Sequence, residues 1–158
     1  MTPEDKMNIC ITTDPHHIEI CARMMTGSDP WITLKMNYDN CLKAFDGPSK
    51  EIYVIEQEGN IEGFAVLQLA GTFKGYIQTI CIRENRRGNG LGKKLLQFCE
   101  YRILKISPNI FICVSSFNSG AIRLYENFGF KNVGKLDNFV KEGFAELLFR
   151  KTVGPLLK

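Results

Sequence analysis

A chain of 158 residues, 44% hydrophobic and 23% charged, has the balance of a soluble globular protein that buries its core as one domain, residues 1–158. A net charge of +3 without a long basic run argues against nucleic acid as the main partner, and the ~18 continuous apolar residues of a membrane span are absent. The opening Met1-Thr2-Pro3-Glu4-Asp5 leads into no apolar leader, and six cysteines without a C-x-x-C pair read as free thiols in a reducing cytoplasm.

Residues 7–13 alternate as a first strand. Asp14-Pro15 has the form of an N-cap followed by proline at the first helical position, so a helix is expected over residues 15–25, stopping at Thr26-Gly27. Ser28-Asp29-Pro30-Trp31 reads as a turn, and residues 37–45 as a second short helix ended by Gly47-Pro48. Residues 51–58 and 61–69 are the arms of a hairpin turning at Glu58-Gly59-Asn60. After a break at residues 71–75, Tyr76–Ile82 is a further strand. A glycine-rich turn then opens a helix over residues 91–105, with Leu91, Leu95, Phe98, Cys99 and Ile103 on one face. Residues 110–115 form a strand, and Asn118 or Ser119 caps a short helix carrying Ile122, Leu124, Tyr125 and Phe128, ended by Gly129. Residues 130–135 and 144–151 are the closing strands. Antiparallel strands followed by a strand–turn–helix–strand unit imply an α/β (α+β) domain with one parallel strand pair.

The turn Arg87-Gly88-Asn89-Gly90-Leu91-Gly92 carries the most chemistry. Its glycines let the backbone turn tightly and approach a ligand, and the helix behind it presents unpaired N–H groups and a positive dipole end. Arg86, Arg87, Lys93 and Lys94 surround it, so a phosphate-bearing cofactor is one reading and a solvated surface turn the other. A Rossmann fingerprint needs G-x-G-x-x-G after the first strand, and a Walker A loop ends in Gly-Lys-Ser/Thr; Gly92-Lys93-Lys94 meets neither requirement.

The turn together with Asn118-Ser119-Gly120-Ala121-Ile122-Arg123-Leu124-Tyr125-Glu126-Asn127-Phe128-Gly129-Phe130 resembles the paired signatures of the GNAT superfamily, the acetyl-CoA-dependent N-acetyltransferases. The resemblance implies a mixed, mostly antiparallel sheet of six or seven strands with helices on both faces, splayed at strands 4 and 5. It implies acetyl-CoA as co-substrate, with the pyrophosphate on Arg87, Gly88, Asn89, Gly90, Leu91, Gly92 and Lys93. It also implies that the pantetheine arm lies along Ile80, Cys81 and Ile82, that Asn118 supports that arm, and that Tyr125 protonates the departing thiolate. No metal is implied. The acceptor is a primary amine on a small molecule or a peptide, neither nucleic acid nor membrane is a partner, and the family's frequent dimers make a homodimer an expectation. A non-catalytic CoA-binding or regulatory domain on the same fold is the alternative.

The general base is not apparent. Tyr76 and Cys113 stand where family members often carry glutamate, which leaves Glu146 on the last strand as a candidate, set against a solvent-exposed strand carboxylate. His16 and His17 read as an exposed pair in the first helix, remote from Cys81 and Cys113, which argues against a thiol nucleophile. Residues 28–45 are the expected specificity segment, with Trp31, Tyr38 and Phe45 as lining candidates and Asp29, Asp39 and Asp46 as possible attractors of a cationic amine.

Overall fold

The computed structural model describes residues 7–158; the opening Met1–Asp5 and the reading made of it lie outside the described residues. In chain order the elements are β1 (Met7–Ile11), α1 (Pro15–Thr26), α2 (Tyr38–Leu42), β2 (Lys50–Gln57), β3 (Asn60–Gln68), β4 (Tyr76–Ile82), α3 (Leu91–Ile103), β5 (Asn109–Ser115), α4 (Ser119–Phe128), β6 (Lys131–Asp137) and β7 (Ala145–Thr152). The strands form a seven-stranded sheet ordered β1-β2-β3-β4-β5-β7-β6. Every neighbouring pair is antiparallel except β4 and β5.

Local chemistry sets the helix ends. The Asp14 carboxylate accepts the His16 amide at 2.9 Å with Pro15 opening α1, and Asn37 and Asn40 form a reciprocal capping box at 2.8 and 3.2 Å. The helix expected over residues 37–45 is shorter than its pattern: α2 ends at Leu42 and Lys43–Phe45 tightens into a 3₁₀ turn.

Helices cover both faces of the sheet. Cys21, Met25 and Phe45 from the α1–α2 layer pack on Val54, Phe64 and Val66. On the opposite face, Leu95, Leu96 and Ile103 of α3 and Tyr125 of α4 meet Ile55, Leu67, Ile77, Ile112 and Phe149. A fully buried side chain of this size contributes about 1.5–3 kcal/mol against leaving it in water. A polar clamp ties α3 to β2: Arg102 donates from Nε and Nη2 to the two Glu51 carboxylate oxygens at 2.9 and 2.8 Å, and the Tyr53 hydroxyl donates to Glu51 as well.

The feature that positions the site is a β-bulge. Leu67 pairs with Ile77 and Val66 with Thr79, so Gln78 is an extra residue in β4. A bulge bends its strand, and this one sits where β4 leaves β5. The parallel pairing stops after Tyr76–Phe111 and Ile77–Ile112. Beyond it, the β5-facing edge of residues 78–82 has no strand partner among the described residues, while β5 stays paired to β7 along its length. The bulge also resets the alternation: Ile77 packs toward α3, whereas Cys81 packs toward α1. The expected splay at strands 4 and 5 therefore has a physical origin.

Candidate active site

The splay opens a cleft of about 770 Å³ running from the glycine turn, past β4 and α4, to the loop before α2. Arg87, Gly88, Gly90, Leu91, Gly92 and Lys93 line one end, Ile80, Cys81 and Ile82 its side, and Asn118, Tyr125, Trp31 and Glu146 the remainder.

At the glycine end, Gly88 and Gly90 have φ of +79° and +78°, the left-handed region that favours glycine, and a Cβ on either would meet no heavy atom within 4 Å. Gly90 is the N-cap of α3 and provides no side-chain cap, so the first amides of that helix are left for an anion. Gly92 serves packing, since its α-carbon face lies against Leu124 and Ile82. Asn89 does not line the cleft; its amide donates to the Arg86 and Arg87 carbonyls and holds the turn's shape. The basic side chains are more constrained than the sequence suggests. Arg86 donates to Gln57 at 2.6 Å and pairs with buried Glu62 at 3.8 Å, Arg87 Nε donates to the Ile82 carbonyl at 3.2 Å, and Lys94 is not among the lining residues. An open, uncapped, glycine-lined helix start beside an unpaired strand edge fits a pyrophosphate carried on an extended arm.

Tyr125 is buried on α4, edge-on to Phe130 and Phe149 at 6.0 and 6.4 Å, with its surface on the cleft. Burial first, then the neighbouring Cys81 and Cys99, pushes its phenol further above the ordinary range, so it keeps its proton at neutral pH. Burial likewise raises the Cys81 thiol to about 11, which removes it as a thiolate nucleophile near neutrality. Asn118 caps α4 through its side-chain oxygen to the Ala121 amide at 3.3 Å.

Glu146 is not a solvent-exposed strand carboxylate. It is 8% exposed, pairs across the sheet with Ser115, and its buried Oε2 has no hydrogen-bond partner among the described residues. Burial raises its carboxyl above the usual range, with the adjacent Ser115 hydroxyl opposing. Tyr76, whose phenol is raised by burial and then by Cys113, lies within electrostatic reach of both Glu146 and Tyr125. A retained proton and a buried carboxylate thus line one cleft, the pairing that proton transfer in both directions requires.

At the mouth, Trp31 lines the cleft with Leu34 and Met36. Tyr38 and Phe45 do not: Tyr38 carries the Arg23 guanidinium over its ring at 4.9 Å, and Phe45 packs on Phe64 at 5.5 Å beneath the sheet. Of the three aspartates, Asp29 alone reaches the cleft. His17 is half-buried, with Nδ1 at 2.8 Å from the Thr12 hydroxyl, and neither histidine lines the cleft. Ser115, Phe139 and Val140 are cleft residues that the sequence reading passed over; the apolar pair inside the polar run Asn138–Gly143 was the available signal. Among the described residues, no three His, Cys, Asp or Glu side chains converge on a metal position, and no helix is long and apolar enough to cross a membrane.

Comparison with known proteins agrees with this geometry. The profile of the acetyltransferase (GNAT) domain matches residues 48–132. The chain is 32% identical over 89 residues to the spermine/spermidine N(1)-acetyltransferase of Bacillus subtilis, covering 51% of this chain and 59% of that protein, so it spans about three-fifths of that relative. It is 25% identical over 119 residues to the N-alpha-acetyltransferase RimI of Mycobacterium tuberculosis, covering 73% of this chain and 71% of that one. A GNAT family acetyltransferase from Elizabethkingia anophelis, solved with acetyl-CoA bound, superposes with a TM-score of 0.69 at 20% identity over 94% of this chain and 99% of its own.

Proposed function

The chain belongs to the acetyltransferase (GNAT) family, and from that premise we propose that it is an acetyl-CoA-dependent N-acetyltransferase working by direct transfer to a primary amine in a ternary complex. The observation that carries the reading is the continuity of one cleft from the glycine turn to Tyr125 and Glu146. When bound, acetyl-CoA supplies the thioester whose acyl carbon the amine attacks. The amides of Gly88 and of residues 90–93 hold its pyrophosphate beside the Arg87 side chain, and the open edge of β4 at Ile80, Cys81 and Ile82 pairs with its arm. Asn118 flanks that arm from the start of α4.

Two proton transfers fall to this chain's own residues. Glu146 takes the proton that the acceptor ammonium must lose, a role suited to a carboxylate whose basicity is raised by burial. Tyr125 gives its phenolic proton to the departing sulfur, and burial keeps it protonated until then. Trp31, Leu34 and Met36 exclude water from the amine end. The acceptors named for the relatives, polyamines in one case and protein N-termini in the other, set the range to test. Release of free thiol from acetyl-CoA, with product masses read over a panel of both amine types, tests the proposal. Acetylated amines are the expected outcome; tight acetyl-CoA binding without any acetylated amine would favour a non-catalytic CoA-binding domain.

A further inference from the structure

We infer that the acceptor is a peptide presenting one free N-terminal amine ahead of apolar side chains, a refinement that rests on the acyl-transfer reading above. The charge at the amine end carries the first half of the argument. Asp29 and Glu146 are the carboxylates that line the cleft. Asp29 Oδ1 is already taken by the Thr33 amide and hydroxyl at 3.1 and 2.6 Å. Glu146 lies deeper, with one carboxylate oxygen, Oε2, that has no hydrogen-bond partner among the described residues. Glu146, the buried one of the two, accommodates one ammonium, while the exposed Asp29 keeps its charge with Oδ1 held by Thr33. A polyamine brings several ammonium groups, of which Glu146 and Asp29 can face two; the rest of the amine end, Trp31, Leu34, Met36, Phe139 and Val140, supplies apolar contact and no counter-charge, which an apolar-led peptide uses better.

The mouth carries the second half. Phe139 and Val140 sit on the hairpin between β6 and β7, 60% and 48% exposed, and both also line the cleft. The hairpin is braced across the mouth by Lys141, whose Nζ donates to the Leu34 carbonyl at 2.7 Å. An apolar pair on a braced rim is a surface kept for contact rather than a collapsed loop. Beside it, residues adjoining those of the cleft (Thr33, Ser116, Phe117, Phe144) line a shallow trough of about 800 Å³. The acidic group of that trough, Asp137, is offset by Lys135 at 3.4 Å. A small amine fills the inner end alone. An extended chain places its amine at Glu146, its first side chains against Phe139 and Val140, and its following residues in the trough.

The test uses the full chain and acetyl-CoA. Acceptors are hexapeptides with a free N-terminus and two apolar leading residues, the same peptides led by acidic residues, blocked peptides carrying an internal lysine, spermidine, and a small apolar monoamine. Thiol release gives kcat/KM, and fragment masses locate the acetyl group. The expected result is α-amine acetylation of the apolar-led peptides, exceeding spermidine by about 100-fold. Phe139→Ser is expected to raise the KM for those peptides about tenfold while leaving acetyl-CoA affinity as it was. Spermidine or the small amine equalling the peptides would overturn the inference, as would a KM indifferent to Phe139→Ser. Acetyl-CoA binding with no acceptor acetylated would also overturn it while sparing the cofactor site. Failure to bind acetyl-CoA would remove the acyl-transfer reading itself.

Discussion

Gly90→Ala separates what the glycine turn does for folding from what it does for binding, because Gly59 provides a matched control. Both residues have positive φ, +78° and +82°, and in both an added Cβ would meet no heavy atom within 4 Å. Alanine at either position pays only the left-handed backbone penalty, about 1 kcal/mol. For a chain of this length that lowers the melting temperature by about 2–4 °C in each variant. Their surroundings differ: Gly59 turns the β2–β3 hairpin, whereas Gly90 lines the cleft and caps α3. A methyl group on Gly90 enters open space at the cleft wall, where the pyrophosphate is proposed to lie. Loss of one charge-assisted backbone bond, about 1.5–3 kcal/mol, weakens acetyl-CoA binding by roughly 10- to 150-fold. Calorimetric titration with acetyl-CoA and thermal melting of both variants provide the comparison. Equal melting shifts with a Kd change confined to Gly90→Ala are expected. An unchanged Kd in Gly90→Ala, or the same change in Gly59→Ala, would refute the assignment of the turn to the pyrophosphate.

Glu146→Gln keeps the shape of the side chain and removes its charge; kcat/KM is expected to fall about 10²- to 10⁴-fold. Because the unprotonated carboxylate is the active form and burial raises its pKa, the parent's kcat/KM climbs with pH through a limb above the usual carboxylate range. The variant lacks that limb. The same raised pKa makes the folded protein bind the proton more readily than the unfolded chain, so this group's contribution to stability falls as pH rises through that window. Glu146→Gln is therefore expected to melt higher than the parent at neutral pH and not at low pH, which parallel melts will show. Arg102→Leu removes the clamp on Glu51, a pair about one-quarter exposed, at a cost of about 1 kcal/mol after solvent screening. The Arg102 hydrogen bond is the main cause of Glu51's lowered pKa. The clamp's stabilisation is thus present above the ordinary carboxylate range and lost as pH falls through the depressed value. The melting difference between parent and variant should shrink correspondingly in acid.

Local rules made much of this legible from sequence. Asp14-Pro15, the alternating hairpin arms and the Leu91–Ile103 stripe each follow short-range chemistry, and their elements fall within a few residues of expectation. The same holds for the glycine turn, whose positive φ values only glycine adopts freely. What escaped depends on pairing between distant segments. Tyr76-Ile77-Gln78-Thr79-Ile80 interrupts its alternation with the polar pair Gln78-Thr79 but does not say which residue is extra; the register with Val66 and Leu67 assigns the bulge to Gln78. Glu146 sits in an ordinary strand pattern, and only its pairing with Ser115 brings it under the cleft. Tyr38 and Phe45 have the composition of a binding segment, but α2 and the 3₁₀ turn after it set them against Arg23 and Phe64. Phe139 and Val140 gain meaning only because Lys141 fastens their hairpin to Leu34.

Turnover and acetyl-CoA affinity measured side by side for the parent and Tyr125→Phe test the central claim most directly. The substitution deletes one hydroxyl from a ring held by Phe130 and Phe149. If Tyr125 protonates the departing sulfur, kcat falls about 10²- to 10⁴-fold while the Kd for acetyl-CoA stays at the parent's value. A kcat equal to the parent's would contradict the account, leaving Tyr125 as a core aromatic that happens to border the cleft.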